Sequence, residues 1–130
     1  MAVDPNIKIV VVDDSGTMRM MFKQILNKTG FENLVMAVNG ADGLEKVKNE
    51  KPDLVISDWN MPQMTGLELL KAVRADPNLS KMPILLVTAE AKKQQIVEAA
   101  QAGVNGYIVK PFTAATLKEK IEKIFERINK

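Results

Sequence analysis

The sequence predicts an α/β fold of the doubly wound kind, with one five-stranded parallel sheet and helices on both faces. Three observations carry that prediction. Short β-branched runs alternate five times with segments whose apolar residues recur at helical spacing. The strand runs are almost continuously apolar, as they are when a parallel sheet is covered on both sides. No Gly/Ser-rich linker divides the 130 residues, a length that fits one domain of the usual ~100–150 residues. The expectation is a single (βα)5 domain over residues 1–130 with no separate output domain.

Ile7 to Val12 is the first strand, ending at Asp13-Asp14. Met18, Met21, Phe22, Ile25 and Leu26 then recur at helical spacing, and Gly30 closes that helix as a C-cap. Leu34 to Val38 reads as a second strand, and Asn39-Gly40 turns into a short helix carrying Leu44 and Val47. Pro52 ends that unit, and residues 53–57 form a third strand running into Asp58-Trp59-Asn60-Met61-Pro62. Leu67, Leu69, Leu70 and Val73 mark a third helix, closed by Asp76-Pro77. Residues 83–88 are a fourth strand, and a helix from about Ala91 to Ala102 ends at Gly103. Residues 107–109 are a fifth strand, and Lys110-Pro111-Phe112 leads to a last helix striped by Leu117, Ile121, Ile124, Phe125 and Ile128.

Composition removes whole classes of chemistry. The chain holds no His and no Cys. It cannot build a Ser-His-Asp or Cys-His nucleophile, a disulfide or a Cys/His zinc site. The net charge of +2 averages an acidic first half, with 7 basic and 9 acidic side chains in residues 1–65, against a basic second half with 11 and 7. Neither half is a polybasic tail, so nucleic acid is not demanded. No run approaches the ~20 apolar residues of a membrane helix and no signal peptide opens the chain, so a cytoplasmic protein is expected.

In a doubly wound sheet, ligands sit beyond the carboxyl ends of the strands. The residues expected there are Asp13, Asp14, Asp58, Thr88 and Lys110. Each alone has an ordinary reading: Asp14 as a helix cap, Asp58 as a turn residue, Lys110 as a solvated charge. Together they do not, because three acids on one edge repel and call for positive charge. Lys110 supplies one, and a hard divalent cation such as Mg²⁺ suits the remaining carboxylate oxygens. A magnesium site beside a carboxylate and a lysine is a phosphoryl site.

This set, Asp13-Asp14, Asp58, Thr88 and Lys110-Pro111, resembles the receiver domain of two-component response regulators. The segments VISDWNMP, GLELLK, VTAEAKK, AAQAG and KPFTAATL resemble the chemotaxis members of that family, and the resemblance runs from Ile7 to Phe125. It implies a flavodoxin-like fold, and the strand order 2-1-3-4-5 comes from it rather than from periodicity. It implies that Asp58 accepts a phosphoryl group from a chemotaxis histidine kinase. Asp14 and Asp58 would ligate Mg²⁺ through carboxylates and Asn60 through its backbone carbonyl, with Asp13 acting through coordinated water. Lys110 would bind the phosphoryl group, and Thr88 would donate its hydroxyl to it beside the Ala89 N–H. Tyr107 would be the aromatic whose rotamer follows Thr88. Lys92, Lys93, Ile96, Ala100, Tyr107, Val109 and Lys120 would line the face that meets a flagellar motor switch protein, and a phosphatase would clear the signal. The implied protein is a monomer that binds neither nucleic acid nor membrane.

Four competing functions separate on residues. A haloacid-dehalogenase type phosphatase places a second Asp two residues after its nucleophile, where this chain has Asn60. Slow self-dephosphorylation rather than enzymatic turnover is therefore expected. A nucleotide domain would carry a glycine-rich loop after the first strand, where Asp13-Asp14-Ser15-Gly16 stands instead. A DNA-binding regulator would need a second domain. A phosphate sink or a Mg²⁺-dependent phosphotransfer protein that does not act on the motor is the remaining alternative. Two further expectations concern neighbours of the site. Ser15 stands where the enteric chemotaxis regulators carry phenylalanine, which opens access, and Trp59 is expected to be partly exposed at the rim.

Overall fold

The computed structural model describes residues 3–90 and 92–128. Ten elements alternate along the chain: β1 (Ile9–Val12), α1 (Gly16–Lys28), β2 (Leu34–Ala37), α2 (Gly40–Glu50), β3 (Leu54–Asp58), α3 (Gly66–Ala75), β4 (Ile84–Thr88), α4 (Lys93–Gln101), β5 (Gly106–Val109) and α5 (Ala114–Ile128). All four strand pairs are parallel, in the order β2-β1-β3-β4-β5.

The apolar strand runs conceal a period of two. Val10, Val12, Val55, Ile84 and Leu86 point to one side, where they pack on Val47, Leu69, Leu70, Val73 and Ala99 of α2, α3 and α4. Ile9, Val11, Leu54, Ile56, Leu85, Val87 and Ile108 point to the other, against Phe22, Leu26, Leu117, Ile121 and Ile124 of α1 and α5. Each such buried Leu, Ile or Phe side chain contributes about 1.5–3 kcal/mol of transfer free energy. Two cores therefore grip the sheet, and the strand ends between them are held to a fixed register.

The strand limits differ from the expected ones by a residue or two, each for a local reason. Ile7 donates to Asp4 in a turn, so β1 starts later than expected. Val38 donates its N–H to the Asp42 carboxylate and leaves the sheet. Asp53 is drawn aside by accepting the Lys8 N–H at 2.9 Å. Pro83 has no N–H to give and contributes only its carbonyl, to Val55. Asn39 does start α2, accepting the Asp42 N–H at 2.8 Å, and Gly30 follows α1 with φ of 99°. The expected start of the fourth helix at Ala91 lies outside the described residues; α4 begins at Lys93 and Ala102 is its C-cap.

Candidate functional site

Register assembles the acids. Val12 of β1 lies opposite Ser57 of β3, so the next residue of each strand, Asp13 and Asp58, emerges at neighbouring strand ends. Asp13 is tied to β2 through its N–H to Ala37, and Trp59 donates to Val87 of β4 directly after Asp58. Asp58 and Asp13 are buried, at 6% and 1% exposure, while Asp14 is exposed. Carboxylate oxygens of Asp13, Asp14 and Asp58 all lie within 4.8 Å of one another. Lys110 follows β5, donates its N–H to Thr88, and turns its Nζ to 2.9 Å from Asp58 Oδ1.

The electrostatics of this cluster are unbalanced towards negative charge. Burial pushes the Asp13 carboxyl above its ordinary value of 3.8; the Ser15 N–H and Lys110 oppose that rise, and Asp58 and Asp14 add to it. Asp13 Oδ1 accepts the Ser15 N–H at 2.9 Å. Its Oδ2 is buried and has no hydrogen-bond partner among the described residues. A buried carboxylate oxygen left unpaired is costly. A hard cation or its water would satisfy it, and oxygen-only donors match what Mg²⁺ selects. Asn60 is exposed just past β3, and among the described residues its carbonyl accepts no hydrogen bond. These residues fit the group that the sequence calls for.

Thr88 is buried at the end of β4, but its hydroxyl donates to the Glu90 carbonyl at 2.8 Å and accepts the Glu90 N–H at 3.3 Å. It is not hydrogen-bonded to Asp58 in this arrangement. Ala89 beside it is exposed. Tyr107 of β5 is partly buried and shares a groove of about 320 Å³ with Ile96 and Ala100 of α4 and Lys120 of α5. Four residues expected on the output face therefore line one groove. Lys92 and Lys93 are exposed at the start of α4, and Val109 is partly buried. Among the described residues no side chain caps α4 and no acid stands in its first turn, so both lysines meet the unfavourable end of the helix dipole.

One expectation is corrected. Trp59 is 8% exposed and belongs to the core on the α2–α3 side. Its N–H to Val87 continues the β3 ladder, which directs the indole inward instead of to the rim. Ser15, not Asp14, is the N-cap of α1 and accepts the Met18 N–H at 3.3 Å, so the ordinary cap role is taken by its neighbour and Asp14 stays in the acid cluster. Arg19 was missed: its Nη1 donates to the Asp13 carbonyl at 2.7 Å and closes the β1–α1 corner. Only its place one turn into an amphipathic helix hinted that it reaches back. The Thr65–Glu68 capping box that starts α3 just past Asp58 was legible as a T-x-x-E spacing and was also missed.

Comparison with known proteins agrees with this geometry. The model of the response regulator receiver domain matches residues 9–122. The chemotaxis protein CheY of Pseudomonas aeruginosa is 58% identical over 122 residues, covering 94% of this chain and 98% of that protein. Chemotaxis protein CheY-3 of Vibrio cholerae is 58% identical over 123 residues, 95% of each. Among solved structures, Vibrio cholerae CheY4 superposes with a TM-score of 0.85 at 36% identity, over 92% of this chain and 98% of that one. The receiver domain of a histidine kinase from Syntrophus aciditrophicus gives 0.83 at 28%, over 94% and 92%. The chain therefore belongs to the response regulator receiver domain family, as a relative of its chemotaxis CheY proteins.

Proposed function

We infer that this protein is a chemotaxis response regulator that takes a phosphoryl group onto Asp58 and, so marked, binds a flagellar motor switch protein. The observation that carries the reading is the buried Asp58 carboxylate, paired with Lys110 at 2.9 Å inside a cluster of three acids. A carboxylate oxygen of Asp58 attacks the phosphorus of a phosphohistidine on the kinase. The P–N bond breaks, its electron pair returns to the imidazole, and an acyl phosphate remains on Asp58. Lys110 holds a phosphoryl oxygen as a point charge. Mg²⁺, held by Asp14, Asp58 and the Asn60 carbonyl with Asp13 behind a bound water, would supply further neutralisation of the phosphoryl oxygens.

The chain supplies no acid–base group suited to rapid hydrolysis. Asn60 stands two residues beyond the acceptor and shuttles no proton. The acyl phosphate then decays slowly, and the protein acts as a timed signal in the cytoplasm instead of an enzyme. Thr88 would leave Glu90 for the new phosphoryl oxygens, and Tyr107 would turn into the space behind it. The groove lined by Ile96, Ala100, Tyr107 and Lys120, together with Lys92 and Lys93 exposed at the start of α4 and the partly buried Val109 of β5, is the contact surface for the motor protein.

Intact mass after incubation with a small acyl-phosphate donor and Mg²⁺ tests this. One labile phosphoryl group is expected on the wild type and none on Asp58→Asn. An undiminished adduct on the variant would sink the assignment. Binding to a flagellar motor switch protein, measured with and without the donor, separates a motor regulator from a phosphate sink.

A further inference from the structure

Lys120 makes a contact that phosphoryl chemistry does not call for. Its Nζ lies 5.5 Å from the centroid of the Tyr107 ring, within the ~6 Å reach of a cation–π pair. Nothing on α5 competes for that charge. The residues three and four positions away are Thr116, Leu117, Lys123 and Ile124, and none is acidic. The next lysine differs: Lys123 pairs with Glu119 at 3.0 Å. Lys120 is partly buried, and among the described residues no carboxylate comes within ion-pair distance of it. The ring it covers stands on β5, the outer strand of the sheet, in a groove with room to turn.

We propose that Lys120 is a latch on Tyr107: its charge over the ring face holds the aromatic side chain in the rotamer seen here. The latch rests on reading Tyr107 as the moving aromatic, and it adds a positioning residue on α5 to that switch. It also links the two ends of the signal. Any group that draws the ammonium off the ring, such as a carboxylate of a docked protein, frees Tyr107 to turn, and the coupling runs equally in reverse. A surface charge is thereby part of the resting state and does more than attract a partner.

Because the chain has one tyrosine, biosynthetic 3-fluorotyrosine places a single fluorine probe on this ring. Fluorine NMR is recorded on the unphosphorylated protein without metal or donor. Lys120→Met keeps the length of the side chain and removes its charge. It is expected to move the resonance and change the ratio of ring states about two- to fivefold. Lys120→Arg is expected to keep the wild-type spectrum. Unchanged Trp59 emission, from the opposite core, checks that both variants are folded. A Lys120→Met spectrum identical to wild type overturns the latch. So does an equal change in Lys120→Arg, which would make the contact one of packing. Neither result touches the reading of Asp58, since no phosphoryl group takes part.

Discussion

Lys110 Nζ rests 2.9 Å from Asp58 Oδ1, so the carboxylate proposed as acceptor is already paired in this structure. In the proposed transfer the lysine exchanges a carboxylate oxygen for a phosphoryl oxygen as the bond forms. Charge that is already positioned needs little reorganisation in the transition state. Lys110→Met should slow phosphorylation by the small donor by about 10²-fold, the scale of removing one positioned electrostatic donor. Time-resolved intact mass measures it; a rate within twofold of wild type would remove Lys110 from the chemistry.

Asp13 sets a pH dependence in the metal-free protein. Burial raises its folded-state pKa above 3.8, so the folded chain holds this proton more tightly than the unfolded one does. Its stabilising contribution is full below pH 3.8 and is lost as pH rises through the raised folded value. Above that window the carboxylate, with one buried oxygen unpaired, works against the fold. Asp13→Asn is expected to raise the Tm at pH 7, by roughly 3–6 °C if about 1 kcal/mol is recovered. The gain should vanish near pH 3.5, and calorimetry at both pH values decides it.

The same acids make metal binding visible. Trp59 adjoins Asp58 and is the only tryptophan, so its emission should respond to Mg²⁺. Asp14→Ala should weaken the apparent affinity at least about tenfold, since even residues behind metal ligands cost 10–100-fold. A variant that titrates like wild type would exclude Asp14 as a ligand.

At the opposite pole, Arg74 of α3 ties three segments together. Its guanidinium donates to the Gly103 carbonyl from two nitrogens, to the Met82 carbonyl at 2.7 Å, and to Asn105 Oδ1 at 2.8 Å. Asn105 Oδ1 also receives the Ile84 N–H at 2.8 Å, which fixes the start of β4. Removing the charge leaves several acceptors unpaired. Arg74→Met should lower stability by about 2–4 kcal/mol without changing phosphorylation of Asp58. Urea unfolding should show a lower midpoint and an unchanged slope.

The order of elements was legible because β-branched runs and helical spacing alternate without interruption. The acid cluster and Lys110 were legible because strand ends in this fold share one rim. What escaped depended on reach across the chain. Arg19 and Arg74 look like helix surface charges in sequence, yet both end on backbone carbonyls, and Arg74 spans to Gly103. Trp59 was misplaced because a residue between two site positions looks exposed, whereas the twofold period of β3 turns it into the core. The Thr88 hydroxyl depends on a turn at Glu90 that no spacing announces.

Gly66 opens α3, and its N–H meets the Trp59 carbonyl at 2.9 Å. A Cβ there would overlap the carbonyl oxygen of Asp58 itself. A mutational scan that scores signalling alone would rank Gly66 with Asp58 and mistake a steric requirement for a chemical one. Scoring abundance alongside signalling parts the two. Substitutions at Gly66 lose the protein, while Asp58→Asn leaves it present and silent.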